Sequence, residues 1–191
     1  MTSIRNSRIA NSEDDAMKQS AMKPQDVAIL LKKMTPQGKV MLNKDIATSL
    51  GISASEVSEA MERCRVAQLV DNSKKRVNTL ALKEFLVNGL RYVFPIQLGS
   101  VVRGVPTAVS APPINLHISS DSETFVWPYK KGMVRGQAIT PLYSTIPEAV
   151  EKDADLYKLL VIADTLRMGR VRERDVAIQE LDKYIAAYGN Q

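Results

Sequence analysis

The stretch LNKDIATSLGISASEVSEAMERC, residues 42 to 64, decides the fold. Two runs of helical periodicity meet in it at Gly51-Ile52-Ser53. In the first, Ile46, Ala47 and Leu50 fall on one side behind Asn43 as the candidate cap, and Gly51 supplies a left-handed residue to end the helix. In the second, Val57, Ala60, Met61 and Cys64 recur at the spacing of one buried face, while Ser55, Ser58, Glu59 and Glu62 point outward. Ser53 with Glu56 three residues on spells a capping box. The pattern predicts two short helices joined at a tight corner that Ile52 plugs.

Working outward, Val27, Leu30, Leu31 and Met34 predict an earlier helix that starts at Pro24 and is broken by Pro36 and Gly38. On the other side, QLV, DNSKKR and VNTL over residues 68–80 read as strand, basic turn, strand. Leu80, Leu82, Phe85, Leu86 and Leu90 then predict one more helix, capped by Asn78 or Thr79, and Pro95 stops the extended piece after it. A helix pair of this kind can place its second helix in a DNA major groove, with the basic hairpin beside it as a wing.

Over residues 24 to about 91 the chain resembles the winged helix-turn-helix transcriptional regulators of bacteria, the MarR type among them. The likeness rests on KDIATSLGISASEVSEAMERC and LVDNSKKRV. RGVPTA, VRGQAITPLY and LRMGRVRER are similar to a C-terminal extension found in a family of such regulators. The resemblance implies double-stranded DNA as partner, and a homodimer that sets two third helices in successive major grooves roughly 34 to 36 Å apart and represses by occlusion. It implies that Lys44, Ser53, Ala54, Ser55, Ser58, Glu59 and Arg63 face base edges or neighbouring phosphates, and that Lys74, Lys75 and Arg76 reach backbone or minor groove. One feature runs against it, for the third helix carries Glu56, Glu59 and Glu62 before Arg63 and Arg65. A second expectation therefore stands beside the first: a non-catalytic docking adaptor or antitoxin-like protein whose partner is another protein.

Beyond the helices lies a repeat. YVFPIQLGSVVRG at 92–104 returns as FVWPYKKGMVRG at 125–136. Aromatic-Val-aromatic favours a strand, Pro ends regular pairing, Gly allows a turn and Val-Arg-Gly resumes extended structure, so each copy predicts a small hairpin. The two would pair about a local two-fold, with Tyr92, Phe94, Phe125 and Trp127 supplying the packing. Arg103 and Arg135 recur with the repeat. They form either a symmetric site for a phosphate-bearing ligand or partner carboxylate, or pairs with acids of the C-terminal helices. The link at 106–123 reads as a loop with one short strand at 114–118, and His117 as an incidental surface histidine.

At the C-terminus, Asp153 or Asp155 opens a helix with Leu156, Leu159, Leu160, Ala163 and Leu166 buried, and Gly169 ends it. A last helix carries Val171, Val176, Leu181, Ile185 and Tyr188. Arg167, Arg170, Arg172 and Arg174 near Asp164, Glu173 and Asp175 predict an ion-pair network. The fold class expected is thus α+β. It comprises a flexible tail at 1–22, a winged helix-turn-helix at 23–91, a duplicated β-hairpin unit at 92–147 and a helical hairpin at 148–191.

Charge is unevenly spread: residues 23–91 hold twelve Lys/Arg against seven Asp/Glu, whereas 148–191 hold seven against nine. The basic excess coincides with the helix pair and its wing, which suits contact with nucleic acid. One cysteine, Cys64, and one histidine, His117, supply neither a disulfide nor a zinc cage, so no metal or cofactor is expected. There is no phosphate-binding Gly-Lys-Ser/Thr loop, nucleophile elbow or His-Glu metal motif, and no enzyme is expected. No apolar run suits a membrane helix and no basic-then-apolar leader opens the chain, so the expected location is the cytoplasm.

Overall fold

The computed structural model describes residues 21–118 and 123–189; most of the expected N-terminal tail lies outside them. The chain is α+β, with helices before and after one three-stranded sheet. Helix α1 spans Pro24–Met34, α2 Asn43–Leu50 and α3 Ala54–Val66. After a short hairpin, α4 (Thr79–Glu84) runs through a π-helical turn at Phe85–Gly89 into α5 (Leu90–Val93). Strands β1 (Leu98–Pro106), β2 (Phe125–Pro128) and β3 (Val134–Ile139) come next, then α6 (Ile146–Ala149), α7 (Ala154–Met168) and α8 (Val171–Gly189). No helix among the described residues is long and apolar enough to cross a membrane.

Helix α1 is more deeply set than a single apolar stripe implies. Every residue from Asp26 to Met34 is buried, because α2 and α3 pack on one side and α7 and α8 on the other. Pro24 at its start needs no intrahelical donor, and the Asp26 carboxylate accepts from the Lys23 backbone N–H at 2.9 Å. The Lys32 ammonium, itself buried, meets Asp153 Oδ2 at 2.5 Å, while Asp153 Oδ1 caps α7 by accepting from Leu156 N–H. Helix α7 is likewise buried around its circumference from Leu159 to Arg167, beyond the five-residue stripe that the sequence predicts.

The repeated segments take different forms. In the second copy Phe125 to Pro128 is a strand, as expected, but in the first Tyr92 and Val93 end helix α5 and extended structure begins only at Leu98, the start of β1. The helical stripe of Leu82, Leu86 and Leu90, all buried, carries the helical conformation forward until Pro95. Among the described residues there is accordingly no duplicated hairpin. Tyr92 is 77% exposed, and the sheet core is built by Phe125 and Trp127 without it. The predicted strand at 114–118 is also absent, its place taken by a 3-10 turn at Ile114–Leu116.

What the two copies do share is their ends, which pair with each other. Strand β1 runs antiparallel to β3 with Val102 opposite Gly136, Arg103 opposite Arg135 and Gly104 opposite Val134. It also runs antiparallel to β2, and β2 and β3 pair in parallel at Phe125/Gln137 and Val126/Ala138, so that the three strands close on themselves. So tight a closure brings backbones together. A Cβ on Gly104 would stand 2.0 Å from the Trp127 carbonyl oxygen, which leaves no room for any side chain. Overpacking against main chain that cannot withdraw costs about 1 to 3 kcal/mol or more. Gly104→Ala is therefore expected to lower the unfolding free energy by at least ~2 kcal/mol in urea titration, whereas Gly189→Ala, with open space around it, is expected to leave it unchanged.

Candidate nucleic-acid interface

The surface formed by α2, α3 and the following hairpin begins with the corner. Gly51 adopts φ +65° and closes α2, and its N–H is bonded back to α2 carbonyls. Ser53 caps α3, its hydroxyl oxygen accepting from Glu56 N–H at 3.1 Å. The other half of the predicted capping box is missing, because the Glu56 carboxylate turns instead toward Arg63 Nη2 (2.8 Å), Gln25 (2.9 Å) and Lys23 (3.3 Å). Burial works to raise the Glu56 carboxyl, but the donors from Arg63, Lys23 and Gln25 outweigh it and hold it below the usual carboxylate range.

Arg63 is the main correction to the expected DNA-facing set. Its guanidinium is buried, with Nε donating to Asp26 Oδ2 at 2.8 Å and Nη2 to Asp26 Oδ1 at 2.7 Å. Glu59 lies 3.8 Å from its Nη1. A fully buried Asp26 on α1 needs a cation, and Arg63, turned inward to meet it, does not reach solvent as well. Sequence reasoning misses Asp26 as part of any site. The signal available is an acid two residues after Pro24 in a segment otherwise patterned for burial.

The inward stripe of Val57, Ala60, Met61 and Cys64 is buried as predicted, and desolvation pushes the Cys64 thiol up to about 12. Ser53, Ala54, Ser55, Ser58 and Glu59 are exposed on the outer side, as is Lys44 on α2. The hairpin beside α3 is minimal, a single antiparallel bridge between Val70 and Val77. Its turn is folded around Asp71, which accepts from the Ser73 hydroxyl (2.5 Å) and the N–H groups of Lys75 (2.8 Å) and Arg76 (3.0 Å). Those bonds, Ser73's foremost, lower the Asp71 carboxyl.

Within this turn the three expected cations part company. Lys74 Nζ reaches across to Glu62 Oε2 at 3.1 Å, and Arg65 Nη2 closes on Glu62 Oε1 at 2.5 Å. Lys75 and Arg76 stay exposed, with no ion pair among the described residues. Of the ten residues expected to contact DNA, nine are exposed and Arg63 is buried, and Lys74 is already engaged by Glu62.

Elsewhere, Arg103 and Arg135 sit directly opposite each other on β1 and β3, both exposed, and neither forms an ion pair with acids of the C-terminal helices among the described residues. The predicted C-terminal ion-pair network reduces to Arg167 with Asp164 (2.7 Å), while Arg174 Nη2 donates to the Val87 carbonyl. His117 Nε2 stands 3.0 Å from Glu180 Oε1. No cluster of three metal-ligating side chains occurs among the described residues. No family profile, no curated protein and no solved structure matches the chain.

This geometry sets two measurable expectations. Removing Asp26 takes two bonds from a buried guanidinium and leaves it Glu56 at 2.8 Å as its close partner, a loss of up to about 3 to 5 kcal/mol. Asp26→Ala is expected to show that loss in chemical denaturation, with far less for Glu59→Ala, whose carboxylate is exposed. The Glu62 carboxyl, held at about 2 by hydrogen bonds from Arg65 and then Lys74, has a folded value below its unfolded value of 4.5. Its clasp on the hairpin is fully formed above pH about 4.5 and is lost as pH falls through about 2. A carboxyl-carbon NMR titration of Glu62 is expected to have its midpoint near 2.

Proposed function

We propose that the chain is a winged helix-turn-helix regulator that binds double-stranded DNA as a homodimer, with α3 lying in the major groove. The observation that carries this reading is the outer side of α3. Ser55, Ser58 and Glu59 are exposed and covered by no other element, next to a corner closed by Gly51 and a basic turn that presents Lys75 and Arg76. Serine hydroxyls suit either donors or acceptors on base edges, and a glutamate accepts from cytosine N4.

Charge sets the affinity. With Arg63 buried and Lys74 and Arg65 held by Glu62, the expected DNA-contacting cations left without an ion pair among the described residues are Lys44, Lys75 and Arg76. Three phosphates neutralised give a slope of log K against log salt of roughly −2.7 per protomer, too small for tight binding by one copy. Two copies on a palindromic site double it, which is the argument for the homodimer. Repression by occlusion of a promoter follows from that mode of binding.

A second reading is favoured by Glu59 and Glu62 on the exposed side of α3. Those acids oppose phosphates, and they suit a basic protein surface docking on the same scaffold in an adaptor or antitoxin-like role.

Fluorescence anisotropy on the DNA upstream of the chain's own coding sequence, against a scrambled duplex over a salt series, separates the two. The DNA reading expects preference for the native duplex, and Lys75→Ala/Arg76→Ala is expected to flatten the slope by about 1.8 per protomer. Glu62→Gln, which releases Lys74 and Arg65, is expected to steepen it and tighten binding. Equal weak binding to both duplexes, with neither variant altering the slope, overturns it in favour of the docking reading.

A further inference from the structure

A cleft of about 320 Å³ opens where the chain leaves α5, at the joint between the helical layer and the sheet. Its walls are apolar and stiff, with Pro24 at the start of α1, Phe94 and Pro95 from the first repeat and Pro141 from the segment after β3; Gln97 stands at the exposed rim. Arg167 of α7 lies at its base, nine-tenths buried.

The guanidinium at that base is only partly used. Nε donates to the Phe94 carbonyl at 2.8 Å, and Nη1 donates to Asp164 Oδ1 at 2.7 Å and to the Thr140 carbonyl at 3.4 Å. An arginine has five N–H groups, and both on Nη2 have no acceptor among the described residues. Nη2 is not sealed from solvent, and Arg167 is one of the residues that line the cleft. A cation held by three hydrogen bonds, with two N–H groups left over, in the lining of a space walled by prolines and an aromatic ring can receive an acceptor there. The fold alone does not require this. A buried Arg167 serving only to join α7 to the Phe94 and Thr140 carbonyls is complete without the cleft.

We propose that this cleft is a binding site for a small organic carboxylate, one of whose oxygens accepts from Arg167 Nη2 while its apolar body lies against Phe94, Pro95 and Pro141. The site is separate from the α3 surface and does not depend on the DNA reading. The pairing of Arg167 with Asp164 tempers the attraction for an anion. A charge-assisted bond remains about twice as strong as a neutral one, so a carboxylate is preferred to an amide of the same shape. A ligand with few atoms and one such bond binds with a Kd on the order of 1 mM.

The protein carries its own reporter. Its single tryptophan, Trp127, donates from Nε1 to Asp164 Oδ2 at 2.6 Å, and Asp164 is the carboxylate that holds Arg167. The one indole resonance of the ¹⁵N-labelled full chain therefore senses what Arg167 binds. Titration with sodium benzoate at constant ionic strength is expected to move that resonance saturably. Benzamide is expected to bind at least about tenfold more weakly, and inorganic phosphate, which gains nothing from the apolar walls, likewise. Arg167→Met removes the donor but also strands Asp164, so a rim variant is needed beside it. Gln97→Phe, at an exposed position, fills the mouth; it is expected to leave the unliganded indole resonance in place and weaken benzoate about tenfold. An indole resonance that does not move, that moves equally with benzamide, phosphate or sodium chloride, or that responds to benzoate unchanged in Gln97→Phe overturns the site.

Discussion

The contact on which the helical layer depends is the two-pronged bond between Arg63 on α3 and Asp26 on α1. A carboxylate with no solvent exposure is tolerable only if its charge is met and both oxygens are engaged, and here one guanidinium does both. Because the planar fork accepts only one orientation, the pair fixes the rotation of α3 about its own axis relative to α1. Val57, Ala60, Met61 and Cys64 then face inward together. The same rotation decides what is turned outward, namely two serines and the acids Glu59 and Glu62. A hydrophobic pair in place of Asp26 and Arg63 could supply equal stability, since burying ions costs much of what their attraction returns. It would not define the rotation so narrowly.

That constraint explains why the inward and outward sides of the helices are mostly but not wholly legible in the sequence. Binary pattern identifies the helices, their inward stripes and the left-handed Gly51, because those depend on residues near in sequence. Arg63 and Asp26 are 37 positions apart, and nothing within α3 distinguishes an arginine directed at solvent from one directed at a buried acid. The engagement of Lys74 by Glu62, twelve residues away, is hidden for the same reason. The repeat misleads in an instructive way. Tyr92-Val93-Phe94 has the composition of a strand, yet the helix arriving from α4 extends into it, since Leu82, Leu86 and Leu90 secure that helix to the core and local propensity yields to packing. The part of the repeat that keeps its meaning is Val-Arg-Gly, where a bare backbone lets strands close to contact distance.

The sheet has its own buried charge, organised as in the helical layer around one acid. Asp164 on α7 accepts from Trp127 Nε1 and Thr107 Oγ1 as well as Arg167, so one carboxylate holds β2, the residue after β1 and its own helix. Burial pushes the Asp164 carboxyl up, and Arg167, Trp127 and Thr107 oppose it. Tyr157, about two turns of α7 earlier, adds a bond from its hydroxyl to the Pro106 carbonyl and an edge-on contact with the Trp127 ring. The sheet is thereby secured to α7 by polar bonds of defined direction rather than by area alone.

These two centres are joined through α1. Its start lines the cleft above Arg167 at Pro24, its third residue holds Arg63, and its last turns place Lys32 on Asp153, the residue that caps α7. With every position from Asp26 to Met34 buried, α1 has no free side along which to slide, and densely packed interiors pass on small displacements rather than absorbing them. The orientation of α3 is therefore referred, through α1, to the same helix that carries Asp164 and Arg167.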